Sequence, residues 1–184
     1  MLVAAGIAVF ANSVSGPFLF DDIASIPQNP TIRSLWPVSL PLSPPSRSES
    51  VAGRPLANLS FAVNYAIGGL DVRGYHVTNI AIHLACALLI FGIVRRTRGA
   101  PDLVAWAAAL VWMVHPLQSE PIDYIVARTE SLMSLCLLLT LYCSVREWRI
   151  AAIAACAAGM ACKETTVVAP LLIVLYDVTF GAVA

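Results

Sequence analysis

The sequence predicts an all-α, polytopic membrane helix bundle of about six spans, with a long first extracytoplasmic loop that contains an amphipathic helix. Three observations carry this prediction. Of the residues, 59% are hydrophobic and 12% charged, and the mean hydropathy is +0.79, a balance foreign to ordinary soluble domains. The apolar residues gather into successive stretches separated by short charged turns, instead of alternating with polar ones as in a half-buried strand. Between the first two stretches the composition changes to Pro, Ser, Asn and charge, the mark of a loop.

Composition also removes several classes of function. The formal net charge is zero and no long basic run occurs, so the electrostatic footprint that holds a nucleic acid is missing. The five cysteines, Cys86, Cys136, Cys143, Cys156 and Cys162, are odd in number and lie in apolar segments without metal-ligand spacing, so they read as small packing residues. No P-loop, Gly-rich dinucleotide turn, HExxH or GxSxG elbow is present, which leaves nucleotide-dependent phosphoryl transfer, redox chemistry and serine hydrolysis without support.

The first span is expected over residues 1–20, where roughly 20 residues at ~1.5 Å each cover the ~30 Å of hydrocarbon. Residues 15–73 then form the extracytoplasmic loop. Pro27, Asn29 and Pro30 punctuate it, Trp36 with Pro37 suits the membrane interface, and Ser39 to Ser50 reads as a Pro/Ser linker with little to pack. Pro55 to Ile67 predicts a helix, with Pro55 in its first turn and Gly68 and Gly69 as its stop. Leu56, Leu59, Val63 and Ile67 recur on one face, so this helix is expected to lie on the membrane surface. Asn58 and Asn64 fall elsewhere on its wheel.

The second span covers about 75–94 and ends at Arg95, Arg96 and Arg98; the third covers about 103–118, closing with His115 and Pro116. A fourth, about 130–145, is closed by Arg146, Glu147 and Arg149. Ile150 to Tyr176 is interrupted only by Lys163 and Glu164, and divides there into spans of about 150–163 and 165–178, with one long tilted helix as the other reading. The arginines in the short turns belong on the cytoplasmic side. Alternation then places the long loop, the turn after His115 and the Lys163-Glu164 pair on the opposite, extracytoplasmic face.

The uncompensated polar groups converge on that face. Asp21 and Asp22 are adjacent, so they diverge on any regular backbone and one of them faces a site. Such a carboxylate at a boundary between water and lipid suits a general base for a hydroxyl nucleophile, whereas a helix-ending solvated pair is the plainer reading. His76, Asn79 and His83 share one stripe of the second span. Asn79 and His83 read as hydrogen-bonding glue between helices, while His76, at the outer end, is placed to meet a ligand. His115, Glu120, Asp123, Arg128 and Glu130 crowd one turn beside hydrocarbon. Arg128 offers a planar fork to a phosphate, and Arg54, Arg73 and Lys163 add cations on the same side. Ion pairs of these cations with Glu120, Asp123, Glu130 and Glu164 are the alternative. The paired acids offer oxygen ligands to a divalent metal, but no full ligand set is visible, and no cofactor is assigned.

Taken in order, Phe20-Asp21-Asp22-Ile23, Asn29-Pro30, Arg54-Pro55-Leu56, Asn64-Tyr65 and Gly74-Tyr75-His76-Val77-Thr78-Asn79 with His83 form a set. His115-Pro116 with Glu120, Arg128-Thr129-Glu130 and Lys163-Glu164 with Pro170 and Asp177 continue it. This set resembles the N-terminal membrane half of the GT-C glycosyltransferases, in particular the transmembrane O-mannosyltransferases with tetratricopeptide repeats and their bacterial relatives. The resemblance covers nearly the whole chain. It implies that residues 1–184 are the N-terminal part of a GT-C-type transmembrane domain, without the repeats. It further implies inverting transfer of a sugar, typically mannose, from a polyprenyl-phosphate donor to a hydroxyl of a protein or glycan acceptor. Asp21 and Asp22 match the catalytic acid pair; Arg128, Lys163, Arg54 and His76 would meet the donor phosphate or headgroup, supported by His115, Glu120, Glu130 and Glu164. The membrane would be a bacterial inner membrane, with the endoplasmic reticulum as alternative, and the partners a lipid-linked sugar donor and its acceptor. A non-catalytic membrane interaction module and a lipid or solute carrier are the competing functions.

Overall fold

The computed structural model describes residues 1–46, 50–97 and 99–181. Arg98 and residues 47–49 of the expected linker lie outside the described residues. Among the described residues every regular element is helical and no strand occurs. Helix α1, Leu2–Phe10, runs into a 3-10 turn at Ala11–Ser15. The chain is already extended at Gly16, so the first helical segment is shorter than the expected 1–20. A short α2, Asp21–Ser25, opens the loop, and α3, Pro55–Gly68, closes it. Five more helices follow: α4 at Val72–Val94, α5 at Asp102–Val114, α6 at Glu120–Asp123, α7 at Arg128–Val145 and α8 at Arg149–Met160. The last α-helix among the described residues is α9, Ala169–Tyr176.

Two helical stretches are long and apolar enough to cross a membrane, Val72–Val94 with 23 residues and Ile125–Val145 with 21. Both begin ahead of their expected spans. At α4 the reason is a cap: the Asp71 side chain accepts from the Arg73 N–H at 3.1 Å and satisfies a donor that the helix start leaves free. At α7 a 3-10 turn, Ile125–Ala127, leads in. The 150–178 region is broken where the two charges stand. Lys163 is extended, a 3-10 turn occupies Glu164–Val168, and Pro170 lies in the first turn of α9. The β-branched run from Thr165 to Val168 disfavours helix, and a proline is tolerated only near a helix start. The resulting helices have 12 and 8 residues.

Contacts give the helices their directions. Leu2 packs with Ala87, and Phe10 with Ile80, so α1 runs against α4. The approach is close, because a Cβ on Gly6 would stand 2.3 Å from Leu84 Cδ2. His83 Nε2 is 2.9 Å from the Met113 carbonyl, joining α4 to α5. The α9 end returns to the α4 end, where the Tyr176 hydroxyl is 3.0 Å from that of Thr97. The starts of α4 and α7 therefore share one end of the bundle with the loop, and Arg95, Arg96, Arg146 and Arg149 gather at the other.

The loop has its own core at the first end. Ile26, Ile32, Val51, Phe61, Ala62 and Tyr75 pack against Ile125 and Val126. Even the linker is docked: Pro41 is buried and its carbonyl accepts from Asn58 Nδ2 at 2.8 Å. Asn29 Nδ2 donates to Asn58 Oδ1 at 2.8 Å, tying the early loop to α3. Asn58 is fully buried. On α3, Phe61, Ala62 and the two asparagines face inward, whereas Val63 and Ile67 face out, Ile67 with 81% of its surface exposed. Of the stripe read from the sequence, Val63 and Ile67 thus lie on the outer face, the face a membrane surface would cover, while Leu56 and Leu59 are half-buried.

Helix α8 lies on α7 through Gly159, where a Cβ would stand 2.5 Å from Thr166 Cγ2 and 2.9 Å from Cys136 Cβ. Gly159→Val is expected to destabilise by about 1–3 kcal/mol through overpacking, read as a lower midpoint of thermal unfolding in detergent, while Ala158→Val on the same helix costs less.

Candidate functional site

Arg128, the first residue of α7, is fully buried beneath the loop. Its Nε donates to Asn79 Oδ1 at 2.6 Å, Nη1 to Asn64 Oδ1 at 2.5 Å and Nη2 to the Tyr75 carbonyl at 2.8 Å. The guanidinium also lies 4.6 Å from the Phe61 ring centre and 5.7 Å from that of Tyr75, within reach of cation–π attraction. One side chain thereby joins α3, α4 and α7. The expectation that Arg128 meets a headgroup does not fit this placement, because its fork is turned onto protein oxygens. His76 is equally buried, with Nε2 3.0 Å from the Gly16 carbonyl and Nδ1 3.3 Å from that of Ile122. It ties the end of the first helical segment to α6 and has no face toward a ligand. Asn79 Nδ2 donates to the Ile125 carbonyl at 3.2 Å, and His83 stacks on Trp112 with ring centres 4.8 Å apart. The polar stripe of α4 is spent on joining helices.

The acid pair points two ways. Asp22 is fully buried, with Oδ1 accepting from the Val126 N–H at 2.7 Å and Oδ2 from the Leu19 N–H at 3.0 Å. Burial pushes its carboxyl above the ordinary carboxylate value, while those two N–H groups and His76 pull the other way. Asp21 is exposed and carries an outward carboxylate. Ser50 Oγ donates to its Oδ2 at 3.1 Å, and its own N–H donates to the Tyr124 hydroxyl at 3.1 Å. Burial, with the charges of Asp21 and Asp22, holds that hydroxyl above the usual phenol range. Just before the pair, Phe20 has φ +43° and 82% of its surface exposed. The left-handed backbone there turns the chain so that consecutive acids face protein and solvent.

Arg54, half-buried, stands one step behind Asp21: its Nη1 donates at 2.6 Å to the carbonyl of Ser50, whose hydroxyl holds the carboxylate. The Leu56 N–H reaches the Ala161 carbonyl at 3.2 Å, which brings the end of α8 beside this corner. There Lys163 Nζ forms an ion pair with Glu130 Oε1. His115 is exposed and its Nδ1 accepts from the Leu117 N–H at 3.2 Å, a local turn contact. Glu120 and Glu164 are exposed. Among the described residues no cluster of three or more His, Cys, Asp or Glu side chains is arranged for a metal. Tyr124 and Ser50, which complete the setting of Asp21, carry no charge or motif that singles them out in the sequence. Only their distance in space from Asp21 marks them.

The described residues thus form a helical bundle with an acid exposed at one polar end. Sequence comparison finds similarity to proteins named protein O-mannosyl-transferases. The chain is 32% identical to Tmtc1 of Drosophila melanogaster, over 92% of this chain and 21% of that protein. It is 30% identical to human TMTC4, over 96% of this chain and 29% of that protein, and 30% identical to human TMTC2, over 78% and 18%. The chain thus spans less than a third of the length of these curated relatives. No protein-family profile and no solved structure matches it.

Replacing Arg128 by Met strands three buried acceptors, and at about 1–3 kcal/mol for each unsatisfied group the expected loss is at least about 3 kcal/mol in denaturant unfolding; Lys, without the planar fork, is expected to restore little of it. Asp22 makes a separate prediction about pH. The folded chain holds its proton more tightly than the unfolded chain, so stability from this group falls as pH rises from the ordinary value of 3.8 through the raised one. In Asp22→Asn that slope disappears, and thermal unfolding between acid and neutral pH measures it.

Proposed function

We propose that this chain is part of a glycosyltransferase of the GT-C type, transferring a sugar from a polyprenyl-phosphate donor to an acceptor hydroxyl on the extracytoplasmic face of a membrane. Mannose as the sugar and protein as the acceptor follow the names of the relatives. The observation that carries the reading is Asp21 at the polar end of an apolar bundle, exposed, its carboxylate held by Ser50 Oγ and its backbone N–H by the Tyr124 hydroxyl. As general base, Asp21 takes the proton of the acceptor hydroxyl. The acceptor oxygen attacks the sugar C1 from the side opposite the phosphate, and the C1–O bond breaks with its electron pair passing to the polyprenyl phosphate. That gives inversion. Arg54 and Lys163 are the cations beside this corner, and they would balance the charge gathering on the departing phosphate. Arg128, His76 and Asp22 act beneath them, holding loop, α4 and α7 in register. His115, Glu120, Glu130 and Glu164 ring the same end, with Glu130 setting the position of Lys163.

The extracytoplasmic placement rests on the arginines at the far end of the bundle, which belong on the cytoplasmic side. The test is transfer of mannose from polyprenyl-phosphate mannose to an acceptor protein in membranes carrying the native protein or a variant. Asp21→Asn is expected to lower turnover by about 10²–10⁴-fold without lowering the unfolding midpoint. Tyr124→Phe, which removes the acceptor of the Asp21 N–H and loosens the backbone that carries the acid, is expected to lower it by about 10–100-fold. Undiminished transfer by Asp21→Asn overturns the assignment and leaves the loop as a binding surface.

A further inference from the structure

At the end of the bundle away from Asp21, α4 and α7 part to leave a groove of about 530 Å³ whose walls include Leu88, Leu89, Leu135 and Leu139. Arg95, Arg96 and Tyr142 stand at its mouth. The mouth is built with care for shape. A Cβ on Gly92 would lie 2.8 Å from the Tyr142 ring, so only glycine lets that ring seat against α4. The Arg96 guanidinium lies 4.9 Å from the Tyr142 ring centre, Tyr142 meets Trp148 edge-on at 6.4 Å, and Arg146 lies 4.6 Å over Trp148. Two cations thus flank two aromatic rings at the depth where α4 and α7 end, the depth of lipid headgroups.

The arginines have donors to offer. Among the described residues Arg96 makes one hydrogen bond, to the Gly92 carbonyl at 3.1 Å. Arg95 pairs with Asp102 at 3.0 Å in an exposed contact, of the kind that contributes little and is readily exchanged for another anion. A leucine-walled trough capped by two guanidiniums has the polarity of an acyl chain joined to a phosphate. A protein helix laid in it would satisfy the leucines and leave the cations facing apolar surface.

We propose that this groove binds an anionic phospholipid, with an acyl chain along the leucines and the headgroup phosphate on Arg95 and Arg96. The proposal shares with the proposed function only the reading of α4 and α7 as membrane spans, and it makes no use of Asp21.

The test is lipid retention. The protein, purified in mild detergent, is exposed to equal amounts of phosphatidylglycerol and phosphatidylcholine, and the lipid it keeps is counted by native mass spectrometry. The expected result is retention of phosphatidylglycerol over phosphatidylcholine by at least about tenfold, because two basic residues attract a net negative headgroup, whereas the choline cation of phosphatidylcholine offsets its phosphate. The double variant Arg95→Gln, Arg96→Gln loses that preference, Leu139→Trp fills the groove and loses the lipid, and Arg149→Gln, outside the groove, keeps both. Equal retention of the two lipids, an unchanged preference in the double variant, or the same loss in Arg149→Gln overturns the proposal. So does a dimer that excludes both lipids, which would assign the groove to protein. A protein that stays in solution without detergent or membrane overturns the membrane reading, and the proposed function with it, whereas uniform lipid retention fails this proposal alone.

Discussion

The hydrogen bonds of Arg128 are the constraint on which the rest of the polar end depends. A guanidinium without access to water is tolerable only where protein oxygens replace the hydration it has lost. Here two asparagine side chains and the Tyr75 carbonyl do so, and the Phe61 ring covers one side. Because the three acceptors come from α3 and α4 while the cation comes from α7, the charge is satisfied only when those helices are assembled in one register. The apolar contacts of Ile26, Ile32, Val51 and Phe61 with Ile125 and Val126 supply most of the stabilisation. They are not directional, and the Arg128 fork is.

On that foundation the acid pair divides its tasks. Asp22 takes two backbone N–H groups, from Leu19 and from the buried Val126. It binds the loop to the turn before α7 and so fixes where Tyr124 stands. Asp21, one residue earlier, is thereby turned outward onto Tyr124 and Ser50. A pair that reads in sequence as two equivalent carboxylates becomes one group that holds and one that is offered to solvent. The unusual backbone at Phe20 accompanies this split.

The two ends of the bundle differ in kind. At one end the charges are mixed, partly buried and tied to a folded loop. At the other, arginines outnumber the acids Asp102 and Glu147 on exposed turns beside aromatic rings, which suits a surface where headgroups meet water. Gly6, Gly92 and Gly159 serve both ends by letting neighbouring helices approach closely, the small-residue packing common among helices in lipid.

Composition and apolar runs determined the all-helical class and a helix from Pro55 to Ile67, one residue short of the observed Pro55–Gly68, and marked Lys163-Glu164 as a point of division, because these rest on local physics: hydrophobicity, caps, prolines and β-branching. The resemblance to O-mannosyltransferases was legible too, since the order of short motifs survives in sequence, and the relatives named above bear it out. Tertiary structure decided how the polar residues divide. Nothing in the chain says that Arg128 and His76 face inward, that Asn58 and Asn64 turn toward the protein, or that a tyrosine over a hundred residues away touches Asp21. Burial and hydrogen bonding over such separations depend on which helices meet, and the same arginine reads as a ligand or a strut until its partners are known. Charge and spacing located the polar end; only the packing of α3, α4 and α7 chose Asp21 as the acid left facing out.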